Sequence, residues 1–151
     1  MPGDGLKIKA TDDEDLEVFA AVLQDAPMPL AEVTFLEEER RFAALFHRYL
    51  YENVQETTGG DDLQQIDCAL VLDGVSSAQA WDIGGLGGRG QVELMTIVSE
   101  DIQGGGVSIT LVFHGGGHIR LDADAVQGRL ADMGEPTKAT RRPRHSPLYD
   151  L

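Results

Sequence analysis

The chain holds one cysteine, Cys68, so no internal disulfide can form. A reducing, cytoplasmic setting is the natural expectation. No apolar run approaches membrane-spanning length, and no charged-then-apolar leader opens the chain; neither a membrane span nor a secretory signal is expected. Basic residues are scarce, with 12 Lys and Arg against 26 Asp and Glu, a net charge of −14. That field repels nucleic-acid phosphates and anionic lipid head groups, so neither is expected as a partner. It favours solubility or a basic protein partner. The patterns of common catalytic sites are missing as well: there is no G-x-S-x-G, no H-E-x-x-H and no phosphate-binding loop. No cofactor and no catalytic residue is expected.

What remains is an ordinary globular composition. The chain has 151 residues, of which 42% are hydrophobic. A chain of this length buries about 70% of the surface its unfolded form exposes, enough to fold without a metal or disulfide staple. A single domain over residues 1–135 is expected, followed by an extended tail over 136–151 with three prolines. Lys138, Arg141, Arg142 and Arg144 put a third of the basic residues at this end. The plainest reading lays the tail on the protein's own acidic surface. Two others are that Arg141, Arg142, Arg144 and His145 grip an acidic or phosphorylated partner, or that the tail adds to a sheet edge of its own chain or of a second copy. A protein partner and a homo-oligomer therefore both stay open.

The most informative stretch runs from Gly106 to Gly134, GVSITLVFHGGGHIRLDADAVQGRLADMG. Val107, Ile109, Leu111 and Phe113 alternate with Ser108, Thr110 and His114, the period of a half-buried strand. Gly115 to Gly117 supply a hairpin loop. With three loop residues, His114 faces His118, Phe113 faces Ile119 and Leu111 faces Leu121. Val126, Leu130 and Met133 then repeat at i, i+4 and i+7, with Asp122 or Asp124 as cap and Gly134 as stop, so a C-terminal helix is expected. Across the loop, His114 and His118 would lie about 5 Å apart, within reach of one metal ion. Two ligands fall short of a zinc site, and Asp122 or His145 would have to complete it.

Earlier in the chain, Leu6 to Lys9 alternates like a short strand. Thr11 opens T-D-D-E, a capping box with Glu14, and Leu16, Phe19, Ala20 and Leu23 mark the buried face of a helix that ends at Asp25-Ala26, before Pro27. Leu30 to Tyr51 fits two readings, a helix by propensity or a hairpin of Val33–Leu36 and Arg41–Tyr51. Asn53 to Gln65 reads as an exposed loop. Ile66, Cys68, Leu70 and Leu72 share one face of a strand, where a cysteine is inert filling. A weaker strand follows over Ser77 to Ile83, with Trp81 expected in the core, and a further strand over Gln91 to Val98. Gly85-x-Gly87-x-x-Gly90 matches the dinucleotide fingerprint by letter only, because a strand rather than a helix follows it.

Several pieces together resemble a family of short, acidic alphaproteobacterial proteins classed as a domain of unknown function. They are Glu39-Arg40-Arg41-Phe42 with Arg48 downstream, GGGHIRL from Gly115 to Leu121, LADMG from Leu130 to Gly134, and Arg142-Pro143-Arg144-His145. The resemblance carries over no activity, cofactor or site residue. It does imply a strand-like segment around Leu36 to Glu52, which selects the hairpin. The expected fold is then α+β: a mainly antiparallel, strongly bent sheet or partial barrel of about seven strands with an N-terminal and a C-terminal helix, like the pleckstrin-homology barrel. The expected function is a non-catalytic binding or scaffolding module. The alternative is a metal-dependent enzyme built on His114 and His118.

Overall fold

A computed structural model describes residues 5–51, 63–84 and 88–139. The described residues form two five-stranded antiparallel sheets and one α-helix. The first sheet contains β1 (Lys7–Ala10), β3 (Val33–Leu36), β4 (Arg41–Tyr49), β5 (Gln64–Asp73) and β10 (Gly128–Lys138), in the order β1-β10-β5-β4-β3. The second contains β2 (Pro27–Pro29), β6 (Val75–Trp81), β7 (Gln91–Asp101), β8 (Val107–Phe113) and β9 (His118–Ala123), in the order β2-β7-β8-β9-β6. The mainly antiparallel, curled sheet is as expected; the count of about seven strands is too low. No helix among the described residues is long and apolar enough to cross a membrane.

Helix α1 (Asp13–Val22) forms because its caps and its apolar spacing agree. The cap falls one residue later than the capping box suggested. Asp12 is the N-cap, and its Oδ1 accepts the Asp15 N–H at 2.8 Å. Asp15 reaches back, its Oδ2 accepting the Thr11 N–H at 2.8 Å. The first turn is acidic, which the helix dipole favours. Leu16, Phe19 and Leu23 are fully buried. Asp12→Ala should cost about 1 kcal/mol, read as a lower urea midpoint with an unchanged slope.

Strands β4 and β5 alternate cleanly. Phe42, Ala44 and Phe46 of β4 and Cys68, Leu70 and Leu72 of β5 point inward. Ile109, Leu111, Phe113, Ile119 and Leu121 face them from the second sheet in one continuous core. The hairpin reading of Leu30 to Tyr51 holds, with β3 and β4 joined by the turn Glu37–Arg40. Pro27 and Pro29 sit on β2, an edge strand where a missing N–H costs no ladder bond. The two sheets meet at Gly74, which takes φ +74° between β5 and β6. There Val75 donates its N–H to the Arg40 carbonyl at 3.0 Å.

Three expectations need correction. The C-terminal helix is a strand: β10 runs between β1 and β5, pairing Leu130 with Ile8 and with Leu70. Gly128 allows this, since a Cβ there would stand 3.2 Å from the Phe19 ring and 3.0 Å from Leu72. Gly134, at φ +76°, marks a bulge between Met133 and Thr137 rather than a helix stop. Without that helix the likeness to a pleckstrin-homology barrel loses its basis. The ladder of β10 continues to Lys138, which pairs with Gln64.

The β8–β9 hairpin is the second. Val112 opposes His118 and Leu111 opposes Ile119, two residues away from the expected register. A slip of two preserves which face each residue takes, so the buried set is right while the cross-strand pairs change. Gly117 sets the shift: a Cβ there would collide with the Ile83 side chain and lie 2.8 Å from the Asp82 carbonyl oxygen. Glycine is thus held immediately before β9, and the Phe113 N–H donates to its carbonyl at 2.9 Å. The third is Trp81, which is 40% exposed instead of core. Ala78 and Ala80, opposite Leu121 and Ile119, take the inward places on β6, and Trp81 falls on the other parity.

Candidate functional site

The sequence-predicted histidines go to different places. His114 bends away from its hairpin, and its Nε2 lies 2.8 Å from Oδ1 of the fully buried Asp25. Its N–H donates to the Glu93 carbonyl at 2.9 Å. Asp25 follows α1 at φ +63°, so this contact ties the glycine-rich tip to the turn after the helix. His118 stays on the outer face of the second sheet, stacked on Trp81 with ring centroids 4.8 Å apart and planes at 20°. The structure therefore does not bring the two together as a cross-strand pair. Among the described residues, no group of three or more His, Cys, Asp or Glu could hold a metal ion. Arg141, Arg142, Arg144 and His145 lie outside the described residues, as do the loop positions 53–62 and Gly85 to Gly87.

Cys68 is fully buried on the inward face of β5. Burial, together with the neighbouring Asp132 carboxylate, pushes its thiol far above the ordinary range. A thiol so disfavoured as thiolate is no nucleophile.

Beside it is a feature that periodicity did not reveal. Arg48 of β4 and Asp132 of β10 form a buried two-point ion pair, with Nε to Oδ1 at 2.8 Å and Nη2 to Oδ2 at 2.9 Å. The side chains are 9% and 3% exposed. Asp132 Oδ2 also accepts the Leu6 N–H at 2.9 Å, fastening β1 to the same carboxylate. Burial alone would raise the pKa of this carboxyl. The Arg48 hydrogen bond, the Leu6 N–H and the Arg48 charge outweigh it and hold the group below the usual carboxylate range.

Over this pair opens a groove of about 550 Å³ between α1 and the end of β4. Its helix wall is Glu14, Glu17, Val18 and Ala21, spaced i, i+3, i+4 and i+7 so that they share one outward stripe. Its opposite wall is Arg48 and Tyr49 of β4 with Tyr51 just beyond the strand, the two rings tilted at 53° with centroids 6.1 Å apart. Val18 is 52% exposed, an apolar side chain facing the opening. Arg48 is committed to Asp132, so the charge presented at the rim is that of Glu14 and Glu17. The arrangement suits a group that is cationic at its head and apolar along its stem. Sequence reasoning saw Glu14 only as a helix cap, since a groove between elements some thirty residues apart has no local signature.

Fold and site together define an antiparallel two-sheet domain with one packed helix and an acidic-rimmed groove. The family described as protein of unknown function (DUF2948) matches residues 6–145, and the chain belongs to it. No curated protein and no solved structure matches the chain.

Proposed function

We propose that this protein is a small, non-catalytic binding module whose α1–β4 groove takes a basic, partly apolar segment of a partner protein. The observation that carries the reading is the groove itself, in which Val18 and Ala21 share the helix wall with two carboxylates and two tyrosine rings line the opposite side. The net charge of −14 works in the same direction, drawing a basic partner to the surface at long range. Lysine and arginine fit best: their alkyl stems cover apolar surface while the head stays with the carboxylates, and a tyrosine face attracts the cation. A cytoplasmic location belongs to the same reading, because a buried free thiol suits reducing surroundings.

The test is fluorescence anisotropy of the full chain with a labelled peptide of alternating leucine and arginine, against the same peptide with glutamate for arginine. The arginine peptide should bind, and the glutamate peptide should not. Glu14→Lys with Glu17→Lys should weaken binding about tenfold, the size of a 1.4 kcal/mol loss. Val18→Asp should weaken it comparably. Equal binding by wild type and both variants would remove the groove from consideration.

A further inference from the structure

The described chain ends beside the α1–β4 groove. Strand β10 contributes Asp132 to the ion pair beneath that groove and then continues to Lys138. Its last rungs are Thr137 opposite Gln65 and Lys138 opposite Gln64, and the Ala139 N–H donates to the Leu63 carbonyl at 2.9 Å. On the other side of β5, Tyr49 faces the same Gln65, and the Leu50 N–H donates to the Gln64 carbonyl at 2.8 Å. The end of β10 therefore lies two strand spacings, about 10 Å, from the wall that carries the tyrosines. Residues 140–151 follow, TRRPRHSPLYDL. Extended, they span about 40 Å, several times the distance to the groove.

The helix wall of the groove is acidic throughout, with Asp12, Asp13, Glu14, Asp15 and Glu17 and no basic residue over positions 11–26. Asp12 caps the helix, Asp13 accepts the Ser99 hydroxyl at 2.6 Å, and Asp15 accepts the Thr11 N–H. Glu14 and Glu17 are exposed on the groove stripe, and none of the ion pairs among the described residues uses either of them. Of the described arginines, all but Arg89 are already held by aspartates. The rim is left without a counter-ion among the described residues.

We propose that residues 140–151 turn back into this groove as an autoinhibitory strap, with Arg141, Arg142 and Arg144 on Glu14 and Glu17 and with Leu148 and Tyr149 along Val18 and Ala21. The inference rests on the reading of the groove as a seat for a basic, partly apolar segment, and it names one such segment in the chain itself. Charge selects the tail over the other stretch that leaves this wall. Residues 52–62 follow Tyr51 at once but carry Glu52, Glu56, Asp61 and Asp62 and no basic residue, so the rim repels them. Tethering favours the tail further. A segment joined a few residues away faces its site at an effective concentration of about 1 mM, so a contact with Kd of about 0.1 mM fills the groove about nine-tenths of the time. Pro143 and Pro147 lower the ordering cost, because proline has little backbone freedom to lose. An outside basic segment must displace the strap, and its affinity falls by the fraction of grooves left open.

Nuclear magnetic resonance of the full chain tests the strap. A nitroxide placed on Ser146→Cys is selective, because the native Cys68 is fully buried. It should broaden the amide signals of Glu14 to Ala21 and of Tyr49 to Tyr51, and leave sharp those of the turn 37–40 at the far end of β4. Arg141→Glu with Arg142→Glu and Arg144→Glu should abolish the broadening, as should Glu14→Lys with Glu17→Lys. The two sets combined should restore it. In the peptide assay, Arg141→Gln with Arg142→Gln and Arg144→Gln should tighten binding of the leucine–arginine peptide about tenfold. Lys7→Gln with Lys9→Gln and Arg120→Gln loses the same charge away from the groove and should not reproduce the gain. Groove signals that stay sharp overturn the inference, as does broadening that survives both charge reversals. So does a nitroxide-bearing copy that broadens a separate isotope-labelled copy instead, and so does a measurable peptide affinity that the glutamine variant shares with wild type. A groove marked by the tail in a protein that binds no peptide in any form keeps the strap and removes the partner reading. A peptide held by a groove that the tail never marks does the reverse.

Discussion

Asp132→Asn is expected to destabilise the protein by about 3–5 kcal/mol, a large part of the total stability of a domain this size. The substitution keeps the shape but removes the charge, leaving the Arg48 guanidinium buried without its counter-ion. The Leu6 N–H also loses an ionised acceptor. Arg48→Met should cost a similar amount by stranding the carboxylate. The combination Arg48→Met with Asp132→Leu should recover most of the loss, because two buried apolar side chains carry no desolvation penalty. Equilibrium urea unfolding of the four proteins gives the coupling directly. The pH dependence has a definite sign. Asp132 titrates lower when folded than when unfolded. Its contribution is therefore fully present above the ordinary carboxylate value of about 3.9 and is lost as pH falls through the depressed folded value. Wild type should lose stability more steeply than the double variant as pH falls below the ordinary carboxylate value of about 3.9. Parallel pH profiles would mean that the pair contributes little to folding.

Asp132 also shows where local pattern fails. In the sequence it lies within LADMG as one polar residue among many, and nothing nearby indicates a buried charge. Its role depends on Arg48, far away in the chain and brought over by the β5–β10 and β4–β5 ladders. Features carried by parity alone were legible. The inward sets of β5, β8 and β9 and the buried face of α1 follow from spacing, and tertiary packing has no reason to disturb them. Register was less legible, since the glycine that decides it meets Asp82 and Ile83 from another loop. The groove was not legible: Glu14 and Glu17 satisfy helix rules, Tyr49 satisfies strand rules, and only the fold, which sets one stripe of α1 across from the end of β4, makes them one surface. Ambiguity between helix and hairpin at Ala43 to Tyr49 was resolved by the family resemblance, because Ala44, Leu45 and Phe46 suit either form. The same ambiguity at Val126 to Met133 went the other way, toward a helix that does not exist.

That last segment supplies its own test. As a helix stripe, Val126, Leu130 and Met133 would all face the core, and truncating Leu130 or Met133 would cost similar amounts. As strand β10, Leu130 is fully buried between Ile8 and Leu70, while Met133 stands outward and 53% exposed. Leu130→Ala should therefore cost about 2–5 kcal/mol, the sum of lost burial and the cavity left in a sheet centre that cannot collapse. Met133→Ala should change stability by no more than about 0.5 kcal/mol. The contrast is sharpened by Gly128, two residues before Leu130 and on the same inward face. Gly128→Ala should also destabilise, because its Cβ would crowd both Phe19 and Leu72, whereas glycine to alanine inside an exposed helix would stabilise by up to about 1 kcal/mol. Chemical denaturation of the three single variants separates the two structures without any assumption about function. A costly Met133→Ala or a stabilising Gly128→Ala would require the helix. A costly Leu130→Ala with a silent Met133→Ala requires the strand, and with it the placement of Asp132 opposite Cys68 on which the buried ion pair depends.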